Sequence, residues 1–179
     1  MNQDTQMRNI QDCYANMSHE AIMEDLESKR FNYSVLITNI ELEINSCGIL
    51  RSAEIYGCKE FFVYGRKRLN HRASAGANHY LTPQHVSDVS CFNWKDYIVV
   101  GFDNVEISEG LMDFEWEFDR PVLMCFGQEK GGIPSEIVEH CDYMVMIEQF
   151  GAIRCLGVNA AAAIAFYDYT SKLHRKEKR

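Results

Sequence analysis

Two short apolar runs in the last third of the chain each end in a glycine-containing loop, and each loop leads into a helical segment. The first run is Val122–Phe126, and residues 127–132 and Pro134 follow it; proline favours the first turn of a helix. The second run, residues 143–147, precedes another loop and an alanine-rich segment with high helix propensity. Strand, loop and helix repeated in this order predict a ligand site at the carboxyl edge of a parallel sheet.

Five further segments carry a strand signal, and three of them are clear. Residues 31–39, 59–64 and 97–102 are short runs rich in β-branched and aromatic residues. Weaker signals lie at residues 86–89 and at residues 114–119, where aromatic and acidic residues alternate. That alternation predicts an edge strand with one face in water.

The segments between the strands carry helix signals. A helix should begin at Asn45 or Ser46, which are both good amino-terminal caps, and should end at Gly57. The alanine-rich segment predicts a last helix at residues 158–173. Strands that alternate with helices predict an α/β fold, with a mainly parallel sheet flanked by helices.

Length and composition indicate one domain with an arm, because 179 residues with a hydrophobic content of 46% supply one core. We divide the chain into an amino-terminal helical arm at residues 1–30, a domain at residues 31–173 and a basic tail at residues 174–179. No apolar run reaches the roughly 18 residues of a membrane span. The seven cysteines form no C-x-x-C pair, which indicates reduced thiols in a cytoplasmic protein and no metal site.

The net charge of −8 argues mildly against a nucleic-acid partner, but the charge is unevenly distributed. Residues 101–119 contain seven acidic residues and no basic one. Residues 51–72 and the tail are basic instead. Such patches can contact phosphates, although a run of charge is more often a solvated face.

Three stretches, taken in order, share the pattern of one protein family. The first has Asn45, followed six residues later by Arg51 and then by a pair of small residues. The second, residues 126–133, matches Gly-x-Glu-x-x-Gly-[Leu/Ile], and the third, residues 147–161, is close to Ile-Pro-Met-x-Gly-x-x-x-Ser-Leu-Asn-Val-Ser-x-Ala. Order and separations resemble those of the SpoU/TrmH-type RNA ribose methyltransferases of the SPOUT superfamily. The resemblance covers roughly residues 31–172.

This resemblance implies a fold, a cofactor, an assembly and a reaction. The carboxyl-terminal part of the sheet would be threaded as a deep trefoil knot, and S-adenosylmethionine would bind within the knot. The chain would form a homodimer with its site near the interface, and it would methylate a ribose 2′-hydroxyl in tRNA or rRNA. The residues that the resemblance places at the cofactor are Phe102, Phe126, Gly127, Ile147, Gly151, Cys155, Leu156 and Asn159. Phosphates of the RNA would bind the basic residues after the second strand, Arg66, Lys67, Arg68 and Arg72.

The resemblance also implies three catalytic residues. A sulfonium methyl group is already activated, so the enzyme mainly aligns an in-line displacement and manages one proton. An arginine guanidinium stays protonated in proteins, which suits positioning of the phosphate and stabilisation of an alkoxide by Arg51 better than base catalysis; a helix-surface arginine is the alternative. Glu129 would orient Arg51 or cap a loop, or would be a solvated turn residue. Asn45 would order the first loop or contact substrate, or would be a plain helix cap.

The third stretch departs from the family pattern. Glu148 and Gln149 replace Pro-Met, while Cys155 and Gly157 replace a serine and an asparagine whose side chains make polar contacts. Asn159 is a candidate for the missing amide. These departures leave a second hypothesis open, a catalytically impaired protein of the same fold that binds cofactor and RNA. A third hypothesis, a dehydrogenase, is disfavoured because the chain has no G-x-G-x-x-G motif for binding a dinucleotide.

Overall fold

The computed structural model describes residues 9–38, 40–65, 69, 73–153 and 155–178. Its strands are β1 (Tyr33–Thr38), β2 (Glu60–Tyr64), β3 (Pro83–Val86), β4 (Ile98–Phe102), β5 (Glu109–Gly110), β6 (Val122–Phe126) and β7 (Tyr143–Met146). Its α-helices are α1 (His19–Lys29), α2 (Glu43–Ile55), α3 (Ser135–Val138) and α4 (Val158–Glu177). None of these helices is long and apolar enough to cross a membrane, as far as the described residues extend.

All seven strands form one parallel sheet in the order β3-β2-β1-β6-β4-β7-β5, which confirms the predicted α/β class. The central strands β1, β4 and β6 are buried along their whole length. Burial on both faces explains why these strands are continuous apolar runs rather than alternating ones. Helices α2 and α4 pack on one face, around Ile49 and Phe166, while Ile137 of α3 packs on the other.

Helix α2 begins two residues before the predicted start. Its first residue is Glu43 and its cap position is Leu42, so Asn45 lies inside the first turn and the prediction of Asn45 or Ser46 as the cap is wrong. The helix ends where predicted, because Gly57 has a φ of +67°. A left-handed residue of this kind commonly follows the last turn of a helix, and glycine adopts it without strain.

Of the two weaker strand predictions, the first is displaced by three residues and the second is wrong. Strand β3 ends at Val86, and the chain then forms a 3₁₀ helix at Val89–Cys91, which starts where Asp88 accepts a hydrogen bond from the backbone of Ser90 at 2.9 Å. Residues 114–118 form no strand, although Phe114 and Trp116 are buried as the alternation predicts. The backbone carbonyl of Phe114 instead accepts a hydrogen bond from a lysine of α4, Lys172, so a side chain rather than a neighbouring strand satisfies it.

The last helix is longer than predicted and continues through Glu177, so it includes most of the segment expected to be a separate tail. Strand β7 lies between β4 and β5, although residues 103–108 connect β4 directly to β5. That connection therefore crosses the carboxyl end of β7. The crossing is compatible with a threaded carboxyl terminus, and the knot itself stays a prediction.

Candidate functional site

The carboxyl ends of β4, β6 and β7 line a cavity of about 370 Å³. The last residues of these strands, Phe102, Phe126 and Met146, are in its wall, and the rings of Phe102 and Phe126 stack with centroids 5.0 Å apart. The loops after the strands and the start of α4 supply most of the remaining wall, including Asp103, Gly127, Gln128, Ile147, Gln149, Leu156 and Val158. The cavity thus lies at the sheet edge where the two glycine loops predicted a ligand site.

The first glycine loop is a tight turn in the wall of this cavity. Two backbone hydrogen bonds close it, from Gln128 N to Gly132 O at 3.1 Å and from Gly132 N to Gln128 O at 3.0 Å. A Cβ on Gly127 would lie 2.0 Å from the carbonyl carbon of Gly132. Gly132 has a φ of +64°, and a Cβ there would lie 2.2 Å from Asp103 Oδ2. No larger residue fits at either glycine unless the turn opens.

Asp103 holds this turn against the end of β4. Its Oδ2 accepts a hydrogen bond from the backbone N–H of Ile133 at 3.1 Å, and its Oδ1 accepts one from Asn104 N at 2.8 Å. Asp103 is not among the residues that the sequence predicted for the site. The signal was present, because a polar residue directly after a buried strand lies at the edge where ligands bind in a parallel sheet.

The second loop, described at residues 147–153 and 155–157, is held by two of the four residues that depart from the family pattern. Gln149 Oε1 accepts a hydrogen bond from the backbone N–H of Cys155 at 3.2 Å. Cys155 has a φ of +79°, a strained conformation for a residue with a Cβ. Glu148 Oε1 accepts from Met112 N at 3.0 Å, which ties the loop to the segment after β5. Both side chains thus make hydrogen bonds that hold the backbone of the loop.

Glu129 connects the second motif to the first. Asn45 Nδ2 donates to Glu129 Oε1 at 2.6 Å, and the backbone N–H of Glu41 donates to Oε2 at 3.3 Å. Burial opposes ionisation of this carboxyl, but the hydrogen bond from Asn45, the backbone N–H donors and the charge of Lys130 together hold the pKa of Glu129 below its ordinary value. An ionised Glu129 therefore joins the turn at the cavity to the start of α2.

Arg51 does not join this group. It is exposed on α2, and it lines a second cavity between α2 and the amino-terminal arm rather than the cavity at the sheet edge. Within the part of the chain that the structure describes, its guanidinium makes no hydrogen bond or ion pair. The structure thus brings Asn45 and Glu129 together and leaves Arg51 apart from both.

The eight residues expected at the cofactor divide into three groups. Those that line the cavity are Phe102, Phe126, Gly127, Ile147, Cys155 and Leu156. Gly151 lines a neighbouring cavity of about 350 Å³, which shares Ile147 and Gln149 with the first. Asn159 lines neither cavity.

The carboxamide of Asn159 lies between two glycines. A Cβ built on Gly48 would be 3.4 Å from Asn159 Nδ2, and a Cβ built on Gly157 would be 3.3 Å from Asn159 Oδ1. An amide therefore does lie beside Gly157, where the family pattern has an asparagine, but it comes from the first turn of α4. The four basic residues expected to contact RNA, Arg66, Lys67, Arg68 and Arg72, lie outside the described residues.

The fold is similar to solved methyltransferase structures. The SpoU methyltransferase AviRb from Streptomyces viridochromogenes aligns with a TM-score of 0.72 and 24% identity over 82% of this chain and 62% of that one. The A. aeolicus TrmH/SpoU tRNA modifying enzyme aligns with a TM-score of 0.76 and 20% identity over 89% of this chain and 84% of that one. At these identities the likeness concerns the fold.

The sequence is similar to proteins named tRNA (guanosine(18)-2′-O)-methyltransferase. The mouse protein is 26% identical over 76% of this chain and 9% of its own length. The Saccharomyces cerevisiae protein is 26% identical over 82% of this chain and 11% of its own length. The Escherichia coli protein is 26% identical over 82% of this chain and 66% of its own length. The chain thus spans about a tenth of the mouse and yeast relatives and about two thirds of the bacterial one.

The family comparison covers all the elements of the site. The pattern described as the SpoU rRNA Methylase family matches residues 32–167, well over half of the chain. These residues include the three motifs, both glycine loops and the contact between Asn45 and Glu129. The chain therefore belongs to the SpoU rRNA Methylase family.

Proposed function

We propose that this chain transfers the methyl group of S-adenosylmethionine to a ribose 2′-hydroxyl of tRNA. The observation that carries the proposal is the cavity that the second and third motifs form at the sheet edge, joined to the first motif through Asn45 and Glu129. Relatives named as tRNA ribose methyltransferases support tRNA as the acceptor. The free thiols among the described cysteines fit a reducing compartment such as the cytoplasm.

The cavity fits S-adenosylmethionine in size and in chemistry. Its volume of about 370 Å³ is within the usual range of small-molecule sites. Apolar side chains such as Phe102 and Leu156 suit an adenine ring, and the carboxylate of Asp103 suits a positively charged ligand. Among the described residues, the backbone N–H and carbonyl groups of Ile147 and Leu156 have no hydrogen-bond partner, so they are available to a ligand.

Bound there, the cofactor supplies an activated methyl group, and the protein has to bring the acceptor oxygen into line with it. Ionised Glu129 keeps Asn45 and the start of α2 fixed against the turn at the cavity. Arg51 carries a permanent charge without a partner, which suits contact with an RNA phosphate and with the reacting hydroxyl. Since Arg51 and the cavity are apart in one chain, this arrangement needs a second copy.

We propose that the second copy binds to the exposed face of α2 and α4. Ile44 and Ile55 of α2 are 68% and 62% exposed, and Arg51 lies between them on the same helical stripe. On the neighbouring helix, Ile164 and Tyr167 are 40% and 59% exposed. A contiguous apolar patch of this kind marks an interface, and a two-fold dimer would bury it on both copies. The homodimer thereby explains both the exposed isoleucines and the unpaired arginine.

A methyl-transfer assay tests the proposal. Incubation with radiolabelled S-adenosylmethionine should label tRNA, and Arg51→Ala should abolish labelling while S-adenosylhomocysteine still binds. Arg120→Ala is the matched control, because Arg120 is exposed and lines neither cavity. Full activity of Arg51→Ala would refute the role of Arg51. Size-exclusion chromatography with light scattering tests the dimer, which Ile55→Asp should weaken.

A second candidate function is binding without turnover, and the substitutions at Cys155 and Gly157 favour it. A cysteine is a weaker hydrogen-bond donor than serine, and glycine supplies no side chain. The carboxamide of Asn159 beside Gly157 is the observation that favours turnover instead. Calorimetry that detects S-adenosylhomocysteine and tRNA binding, combined with no transfer to tRNA or rRNA, would support the second candidate.

A further inference from the structure

A second cavity lies between the amino-terminal arm and α2. Its volume is about 510 Å³, which is larger than that of the cavity at the sheet edge. Tyr14, Phe31 and Tyr80 contribute aromatic side chains to its wall. The charged residues of the wall are Lys29, Arg51 and Glu54. Size and lining match those of small-molecule sites, which are mostly apolar with a few placed polar groups. None of these residues lines the cavity at the sheet edge.

Backbone strain marks this second cavity in the same way as it marks the first. Among the described residues, the non-glycine residues with positive φ are Ala75, at 52°, and Cys155, at 79°. Cys155 lines the cavity at the sheet edge, and Ala75 lines the second cavity. Strained residues of this kind persist where the surrounding structure holds them, and they concentrate at functional sites. Each strained residue therefore lies at one of the two cavities.

Two of the three charged side chains in the wall, Arg51 and Glu54, are unpaired, whereas the third, Lys29, forms an ion pair with Asp25. Arg51 and Glu54 lie three residues apart on α2, yet neither makes a hydrogen bond or ion pair through its side chain in the described structure. Burial raises the pKa of Glu54, and the charge of Arg30 only partly opposes this. A half-buried carboxylate without hydrogen-bond donors is unfavourable, and a ligand that supplied donors would stabilise it.

A carboxylate accepts hydrogen bonds through two parallel oxygens, so it is best matched by a flat group with two parallel N–H donors. Guanine presents such a pair on its Watson–Crick edge, N1–H and the 2-amino group. Adenine, cytosine and uracil each offer one N–H group at most on that edge, beside an acceptor that would meet the carboxylate. Aromatic side chains are the usual stacking partners of an unpaired base, and arginine is the usual partner of its phosphate.

We propose that the cavity between the arm and α2 binds an unpaired guanine of the RNA substrate, with Glu54 at its N1–H and 2-amino groups and Arg51 at the adjoining sugar-phosphate. The inference rests on the proposed function, since it names the base beside the methylated ribose. Glu54 is then the specificity-determining residue. The described part of the arm, residues 9–30, acquires a role in substrate binding, because it forms one wall of this site.

Nucleotide binding tests the site without methyl transfer. Guanosine 5′-monophosphate should bind the full chain in the millimolar range in a ligand-observed NMR titration. Inosine 5′-monophosphate, which lacks only the 2-amino group, should bind about tenfold more weakly, because one hydrogen bond to a charged group is lost. Glu54→Gln should lower the affinity for guanosine monophosphate to about the affinity for inosine monophosphate. Glu24→Gln, at an exposed glutamate of α1 outside the cavity, should change neither value.

Two further measurements separate the site from the reaction. S-adenosylhomocysteine binding should be the same in Glu54→Gln and the parent chain, which would show that the fold and the first cavity are intact. Digestion of methylated tRNA to nucleosides should yield 2′-O-methylguanosine. Equal affinity for the two nucleotides, or a methyl group on another nucleoside, would overturn the inference and leave the proposed function standing. Guanine preference without any methyl transfer would support the site and overturn the proposed function.

Discussion

Replacement of Lys172 most directly tests how the last helix is attached to the segment that follows β5. Its Nζ donates to the carbonyl oxygens of Leu111 and Phe114, at 2.9 Å in each case. It also lies 3.0 Å from Asp168 Oδ2, and that carboxylate accepts a hydrogen bond from Trp116 Nε1 at 2.8 Å. One cation therefore holds residues 111–116 against α4.

The magnitude follows from what Lys172→Met would leave unpaired. Hydrogen bonds to charged groups contribute about 1.5–3 kcal/mol each. The Phe114 carbonyl would lose its bond, whereas the Leu111 carbonyl would keep the weaker one that it accepts from Phe114 N at 3.3 Å. Lys172 and Asp168 are only 23% and 21% exposed, so water can replace these bonds in part only. We expect a loss of about 2–3 kcal/mol in the free energy of unfolding. In a chain of this size that corresponds to a fall of roughly 4–12 °C in Tm.

Urea unfolding at fixed protein concentration measures this loss, because the stability of the proposed dimer would depend on concentration. Lys178→Met is the control, since Lys178 is exposed beyond the end of α4. It should change the free energy of unfolding by less than about 0.5 kcal/mol. A loss equally small in Lys172→Met would refute the reasoning, because it would mean that water satisfies the Phe114 carbonyl and the Asp168 carboxylate in place of Lys172.

Three further changes test the cavity at the sheet edge. Asn45→Ala should raise the pKa of Glu129 towards its ordinary value in an NMR titration. Because folding lowers the pKa of Glu129, its ionised carboxylate stabilises the fold at pH values above the ordinary carboxyl pKa. This stabilisation is lost as pH falls through the pKa of the folded state. The free energy of unfolding of Asn45→Ala should therefore fall less with acidification than that of the parent chain. Gly127→Ala should weaken S-adenosylhomocysteine binding at least tenfold by calorimetry, since its Cβ would lie 2.0 Å from Gly132; unchanged affinity would contradict the close contact. Cys155→Gly should stabilise the chain by about 1 kcal/mol in urea unfolding by relieving the positive φ, and no gain would argue against strain there.

The strands of the sheet centre could be read from the sequence because their signal is local. Strands β1, β4 and β6 are buried on both faces, so each is an unbroken apolar run. Tight turns have an equally local signal, and the glycines at 127 and 132 marked a site that must bend sharply. The residue types and spacing of the three motifs are also local, and they were sufficient to identify the family.

Other predictions failed where a distant part of the chain decides the outcome. Residues 114–118 alternate as an edge strand would, but Lys172 of α4 takes a carbonyl that a strand would need. Asn45 has the side chain of a helix cap, but Glu129 accepts its hydrogen bond from 84 residues away. In both cases a partner distant in sequence replaced the local hydrogen bond that the pattern favours.

The sequence by itself determined the α/β class, the apolar strands, the glycine turns and the family. Only the tertiary structure decided the strand order, the insertion of β7 between β4 and β5, and the separation of Arg51 from the cavity at the sheet edge. The physical reason is that propensity and periodicity act over a few residues, whereas strand order and side-chain partners depend on packing between segments far apart in the chain. The same packing placed Arg51 and Glu54 without partners beside a second cavity.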